Sequence, residues 1–271
     1  MPKVKKESRY KDYAMPKERM INEYHAIKIS NKYAPEYVPG MIKGDIKNNI
    51  MVMEYIPDAE LLYNYIQKKK LSSKTLKQML DFLIKIHNNT LKDKDVEKKV
   101  THPSYWNLKF KVQYGELTNT KKQVRKKRRE FTDIMKTRRF TLIHGDYHFR
   151  NALIKKDKTI GVVDFEETNF LDSAHDVGVM LSDLILFSRV NKNIKKKHIK
   201  YFFNQYIKRS RFRNKQELQR SVIIHTSSIM LSRLYRIARH DFIPAGKKPE
   251  LKKLLEQAIL DENITGTEHF V

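Results

Sequence analysis

Short apolar runs punctuated by polar turns occupy the middle of the chain, and amphipathic stretches occupy most of the rest. Phe140–Ile143, Ala152–Ile154 and Ile160–Val163 have the length of buried strands rather than helices. The polar turn Lys155–Lys158 lets the second of these runs pair back on the third. Ile50–Ile56 reads as another buried strand, running into a linker. Upstream, Ile21, Tyr24 and Ile27 share one helical face, which predicts a helix over 16–32 with Pro16 in its first turn. Asp58–Lys70 reads as a short helix. Ser72 or Ser73 caps the next one, whose Leu76, Leu80, Leu83 and His87 fall on one face, so His87 reads as a packing residue. Residues 91–106 are polar and read as a loop, and residues 107–139 as largely helical. Ser173-Ala-His-Asp176 has the form of a capping box opening a helix to Arg189. That helix is too apolar to be peripheral. A basic helix over 194–209, a long one over 214–240 and a final one over Glu250–Asp261 complete the pattern.

The three strand runs deliver polar groups in a particular order. The first ends in His144-Gly145-Asp146, Asn151 follows five residues after Asp146, and the third ends in Asp164-Phe165-Glu166. An aspartate that takes a hydroxyl proton, an asparagine five residues on and a later aspartate for Mg²⁺ form the template for phosphoryl transfer from ATP. Mg²⁺ keeps several waters and takes few protein ligands, so Asn151 and Asp164 suffice for it. Gly145 suits a tight turn before the catalytic Asp146.

This pattern, with Asp172-Ser-Ala-His-Asp176-Val-Gly178 downstream, resembles the aminoglycoside phosphotransferase and choline kinase group, over roughly residues 17–260. The resemblance implies an α+β, protein-kinase-like bilobal fold, with a reduced N-terminal β lobe (1–56) and a mainly helical C-terminal lobe (57–271). It implies a hinge near 54–57, where backbone groups of Glu54 and Ile56 pair with adenine. It gives Asp176 the task of bonding catalytic-loop amides, while His144 braces that loop. The helix and turn at 16–39 also resemble methylthioribose kinase, a sugar kinase of the same group. One departure stands out. A kinase N-lobe opens with a glycine-rich hairpin, yet the first glycine here is Gly40. Lys3, Lys5 and Lys6 are the candidates for the lysine on the phosphates, with Lys5 preferred and Glu23 as its partner.

Composition then narrows the partners. The formal charge is +25, from 56 basic and 31 acidic side chains. Polycationic acceptors such as aminoglycosides, and quaternary amines such as choline, are repelled at long range, which favours a sugar-like or otherwise non-cationic alcohol. Residues 121–129 form a basic run read first as a solvated helix face and second as an RNA or polyanion contact. Arg233 and Arg236 read first as solvated side chains and second as groups that reach an acceptor or its phosphate. There is no cysteine, no apolar run near the roughly 20 residues that span a bilayer, and no secretory signal, so a cytoplasmic location is expected. Two other functions fit parts of the pattern: an atypical protein kinase, whose metal turn is usually Asp-Phe-Gly rather than Asp-Phe-Glu, and a kinase-shaped module that binds RNA without catalysis.

Overall fold

A computed structural model describes residues 19–48, 50–100, 110–115, 117–235 and 243–270. The chain begins there with α1 (Arg19–Tyr33), followed by an antiparallel hairpin of β1 (Met41–Asp45) and β2 (Ile50–Met53). α1 meets the rest of the molecule through Ala26 and Ile27, both buried, and through Asn22, whose amide reaches the Thr168 carbonyl at 3.4 Å. The hairpin departs from the buried strand expected at 50–56. Ile50 and Val52 are 51% and 43% exposed, and among the described residues β2 pairs only with β1. An apolar run alone does not reveal whether a second layer covers it.

The helix expected over Asp58–Lys70 starts later. Asp58 turns the chain through a left-handed conformation (φ 53°). Glu60 and Leu61 form β3, antiparallel to β5 (Ala152–Ile154), and only Leu62–Lys68 are helical, as α2. Strand pairing in a third chain segment overrode a local helical pattern. α3 (Ser73–Asn89) begins at Ser72, whose Oγ accepts from the Thr75 N–H at 3.0 Å, and it buries Leu76, Leu80, Leu83 and His87 as predicted.

Residues 91–106 are not wholly a loop. Asp93 Oδ1 accepts from the amides of Asp95 and Val96 at 3.0 and 3.1 Å, and α4 (Lys94–Val100) follows, burying Val96 and Val100. Seven residues are too few to show a periodicity among so many lysines. A short π-helical turn, Phe110–Tyr114, precedes α5 (Lys122–Thr137).

β4 (Thr141–Ile143) pairs antiparallel with β7 (Asn169–Leu171), and β5 pairs antiparallel with β6 (Ile160–Val162) across the polar turn at 155–158. α6 (Ala174–Ser188) is buried from Ala174 through Phe187 and packs chiefly against α8 (Lys215–Tyr235) and also against α7 (Lys196–Arg209). α9 (Lys248–Leu260) closes the bundle over α8 and α5. The expected capping box at Ser173 is not formed: Ser173 is itself in helical backbone and makes no side-chain cap. Asp172 does that work, its Oδ1 accepting from the Ala174 N–H at 2.9 Å. Its Oδ2 is held by Ser221 and Arg138. A carboxylate accepts more strongly than a hydroxyl, so the neighbouring aspartate wins the helix start.

Candidate active site

Two β connections carry the polar groups. β4 hands the chain to His144 and then to Gly145, whose φ of +85° only glycine adopts freely. An added Cβ there would lie 2.0 Å from the Glu167 carbonyl oxygen, so the loop and the turn after Asp164 pass in direct backbone contact. On the other side, the β5–β6 register sets Ala152 against Val162, and the Val163 N–H donates to the Asn151 carbonyl at 3.1 Å. Asp164 follows immediately in left-handed backbone (φ 68°), which aspartate tolerates better than most residues.

His144 ties the two connections together. Its Nδ1 accepts from the Asp146 N–H at 3.3 Å, which leaves Nε2–H to donate to the Val163 carbonyl at 3.1 Å. One ring therefore links the residue carrying the first carboxylate to the residue before the second. Burial pulls its pKa down to about 4 against the pull of Asp176 and Asp146, so it stays neutral and keeps this donor–acceptor arrangement at physiological pH.

Asn151 is buried, and its Nδ2 donates to the Asp146 carbonyl at 3.0 Å and approaches Asp146 Oδ2 at 3.4 Å. Turned this way, the amide presents Oδ1 on its opposite side, and that oxygen has no hydrogen bond among the described residues. An amide oxygen and a carboxylate are hard-oxygen donors, the chemistry that suits Mg²⁺ completed by phosphates and water, and the Val163 N–H bond to the Asn151 carbonyl ties their two segments together. No group of three or more His, Cys, Asp or Glu that could hold a metal occurs among the described residues. One amide oxygen and one carboxylate are the few protein ligands that Mg²⁺ takes when phosphates and water complete its shell.

Behind the loop lies α6, and two of its carboxylates hold it. Asp176, fully buried, accepts from the N–H of His144 at 2.7 Å through Oδ2 and from that of Gly145 at 2.9 Å through Oδ1. The His87 Nε2 sits 3.3 Å from Oδ2 and the His175 Nδ1 3.6 Å from Oδ1. Burial alone would raise this carboxyl, but the His175 and His87 rings outweigh it and hold the pKa far below the usual carboxylate range. His87, a packing residue on sequence grounds, thus also bridges Asp176 to the Tyr206 hydroxyl, 2.7 Å away.

Asp183 is the second carboxylate, and sequence reasoning missed it. Its Oδ2 accepts from the Phe149 N–H at 3.1 Å, and its Oδ1 binds Arg233 at 2.6 Å. Arg233 is buried and also donates to Ser182 Oγ and the Val179 carbonyl, which corrects the expectation that it reaches an acceptor or phosphate. Arg236 lies outside the described residues. The signal was present in the sequence: Asp176 and Asp183 stand seven residues apart, on one face of a largely apolar helix. His148 was missed as well. Its Nε2 lies 3.1 Å from Asp146 Oδ2. Burial lowers its pKa, but the charge and hydrogen bond of Asp146 more than offset this and raise it.

The remaining candidates lie further off. Glu54 is tied to Gly40, donating its N–H to the Gly40 carbonyl at 2.9 Å and accepting the Gly40 N–H on its carboxylate at 2.8 Å. Ile56 reaches over Gly161 of β6, where an added Cβ would come within 2.8 Å of its Cδ1. Both residues line a cavity of about 350 Å³, with Tyr37, Val38 and Lys155. Glu23 is half-buried on α1, and its expected partner Lys5, like Lys3 and Lys6, lies outside the described residues. In the basic run, Arg128 is buried and donates to the carbonyls of Gly115 and Gln113, each at 3.1 Å, and Lys127 pairs with Glu262 at 2.7 Å. Part of that charge therefore serves packing. No described helix is long and apolar enough to cross a membrane.

Comparison with known proteins places this geometry. A search of curated proteins finds no match. Among solved structures, a choline/ethanolamine kinase family protein from Mesorhizobium loti is similar, with a TM-score of 0.53 at 14% identity over 89% of this chain and 80% of that one. An ethanolamine kinase from Plasmodium vivax gives 0.52 at 15% identity over 89% and 72%. APH(2'')-IIa, solved in a ternary complex with streptomycin and ATP, gives 0.50 at 14% identity over 90% and 83%. At such low identity these likenesses speak for the kinase-like α+β fold. The family model described as the phosphotransferase enzyme family matches residues 4–193, which spans both connections and all of α6. Strand ends, loop and supporting helix all fall within that match, and the chain belongs to the phosphotransferase enzyme family.

Proposed function

We propose that the chain is an ATP- and Mg²⁺-dependent phosphotransferase that moves the γ-phosphate to an alcohol hydroxyl of a small, non-cationic acceptor. The observation that carries this reading is the joining of Asp146 and Asn151 by a 3.0 Å hydrogen bond within one loop, with His144 linking that loop to the turn at Asp164. Asp146 receives the proton of the acceptor hydroxyl. The acceptor oxygen then forms its bond to Pγ as the bond from Pγ to the bridging oxygen breaks, and that electron pair leaves with ADP. Asn151, through Oδ1, and Asp164, through its carboxylate, hold Mg²⁺, which when bound neutralises charge on the phosphates. Asp176 and Asp183 keep the loop in register through backbone amides, so Asp146 stands fixed before the substrate arrives.

Glu54 and Ile56 offer backbone groups to adenine beside the cavity they line. The net charge of +25 supports a neutral, sugar-like or anionic alcohol over a polycation. A cytoplasmic location follows from dependence on ATP. The test is incubation with ATP, Mg²⁺ and a panel of sugars, polyols, amines and hydroxylated peptides, reading ADP release. Release driven by a neutral or anionic alcohol is expected. Release driven only by aminoglycosides or choline would overturn the acceptor class, and release driven only by peptides would favour a protein kinase.

A further inference from the structure

We propose that His148 is a positioning residue for Asp146: its Nε2–H fixes the rotation of the carboxylate that the reading above makes the proton acceptor. This inference rests on that reading and adds a residue to it.

Three observations support it. First, the tautomer is set by the backbone. The Arg150 N–H donates to His148 Nδ1 at 3.2 Å, so the ring proton sits on Nε2, and Nε2 faces Asp146 Oδ2 at 3.1 Å. Second, the ring has little freedom to leave. The carbonyl of His148 accepts from the Asn151 N–H at 3.0 Å, and the amide of the next residue, Phe149, is held by Asp183 at 3.1 Å. Asp183 is fixed in turn by buried Arg233. The ring thus stands on a framework anchored in α6 and α8. Third, the side chains of His148 and Asp146 are 18% and 26% exposed, whereas Phe149 beneath them is fully buried. The pair therefore lies at the surface of the loop, where a substrate arrives.

The physical need is plain. The last torsion of an aspartate is broad and nearly two-fold, so a carboxylate held by one weak donor turns readily. Asn151 Nδ2 reaches Oδ2 at a long 3.4 Å. A second, charge-assisted N–H···O⁻ bond from the other side pins that oxygen between two donors. It defines the direction from which Asp146 meets the hydroxyl.

The experiment compares His148→Ala, His148→Gln and His148→Asn in the full-length chain. It reads ADP release from Mg²⁺–ATP with water as the probe acceptor, alongside melting temperature. A glutamine amide places its N–H where Nε2–H stands, whereas an asparagine amide reaches only the place of Nδ1. Loss of positioning of this kind costs on the order of 10²-fold in rate. The Ala and Asn variants are expected to lose about 30- to 100-fold in kcat with KM for ATP unchanged, and the Gln variant to recover to within about fivefold of wild type. A kcat for the Ala variant within about threefold of wild type would overturn the inference. So would a Gln variant as slow as the Asn variant, or a change confined to KM. Should the Ala variant fail to fold, the Gln-to-Asn comparison decides alone. Asp146→Ala run in parallel separates the two levels: if it keeps full turnover the base assignment fails, and if only the His148 series is silent the positioning role fails.

Discussion

Replacing Asp176 with alanine would leave the amides of His144 and Gly145 and the Nε2 of His87 facing an empty site. All three now point at one buried carboxylate, at 2.7, 2.9 and 3.3 Å. A buried donor stripped of its acceptor costs about 1–3 kcal/mol, and breaking a buried charged network by removing one partner costs about 3–5 kcal/mol. Two strong bonds and one long one put the expected loss at about 4 kcal/mol. At roughly 2–4 °C per kcal/mol for a chain of this size, the melting temperature falls by about 12 °C. Asp176→Asn should lose less in stability, but it still sets an amide N–H against one of the two backbone donors. Because the two amides belong to the residues just before Asp146, kcat should fall on the order of 10²-fold even at a temperature where the variant is folded. Stability is measured by urea and thermal melts followed by circular dichroism, and rate by ADP release. The pH dependence has a definite sign. The folded pKa of Asp176 lies below its unfolded value, so unfolding takes up a proton in acid. The stability Asp176 contributes is fully present above the unfolded carboxyl pKa of about 4 and is lost as pH falls through the folded value. The gap between wild type and Asp176→Ala should therefore stay constant from neutral pH down to about 5 and close only in stronger acid. A loss under about 1 kcal/mol, with kcat unchanged, would refute the claim that this carboxylate holds the loop.

Asp164→Ala should cost the free protein about 1–2 kcal/mol, since alanine is less at ease than aspartate at a φ of 68°, and should remove the extra stabilisation that Mg²⁺ with ATP gives the wild type in a thermal-shift titration; an undiminished shift would undo the metal assignment. Gly145→Ala should cost at least about 2 kcal/mol in a urea melt, since the new Cβ meets the Glu167 carbonyl at 2.0 Å in a backbone region that alanine avoids. A variant as stable as the wild type would show that the loop and the metal turn do not pass as closely as described.

Much of the site could be read from the chain because its residues are close in sequence and sit at the ends of strands that advertise themselves. Phe140–Ile143 and Ile160–Val163 are apolar enough to be buried wherever they pair, so Asp146 and Asp164 had to emerge at strand ends. Asp176 was legible through resemblance, and α6 through its largely apolar character. What escaped were partnerships between distant segments. Nothing local to Arg233 says that it will be buried against Asp183, fifty residues away, rather than turned to a substrate. The exposure of β2 depends on what else packs on the hairpin, and the delayed start of α2 on β3 finding β5. Ser173 lost the helix start to Asp172 for want of a rule ranking two adjacent caps. The His148 contact, like the seven-residue spacing of Asp183 from Asp176, was a local feature overlooked: a histidine two residues after Asp146 can reach back to it within a tight loop.

The most direct test is phosphate transfer by Asp146→Ala, compared with wild type at saturating Mg²⁺–ATP and acceptor. Asp146 is a quarter exposed, so the substitution should lower the melting temperature only modestly and leave the Mg²⁺–ATP thermal shift close to wild type. ADP release should drop by at least about 10³-fold, consistent with loss of the proton acceptor and its alignment. Turnover within tenfold of wild type, in a variant that still binds Mg²⁺–ATP, would contradict Asp146 as the group that takes the acceptor's proton.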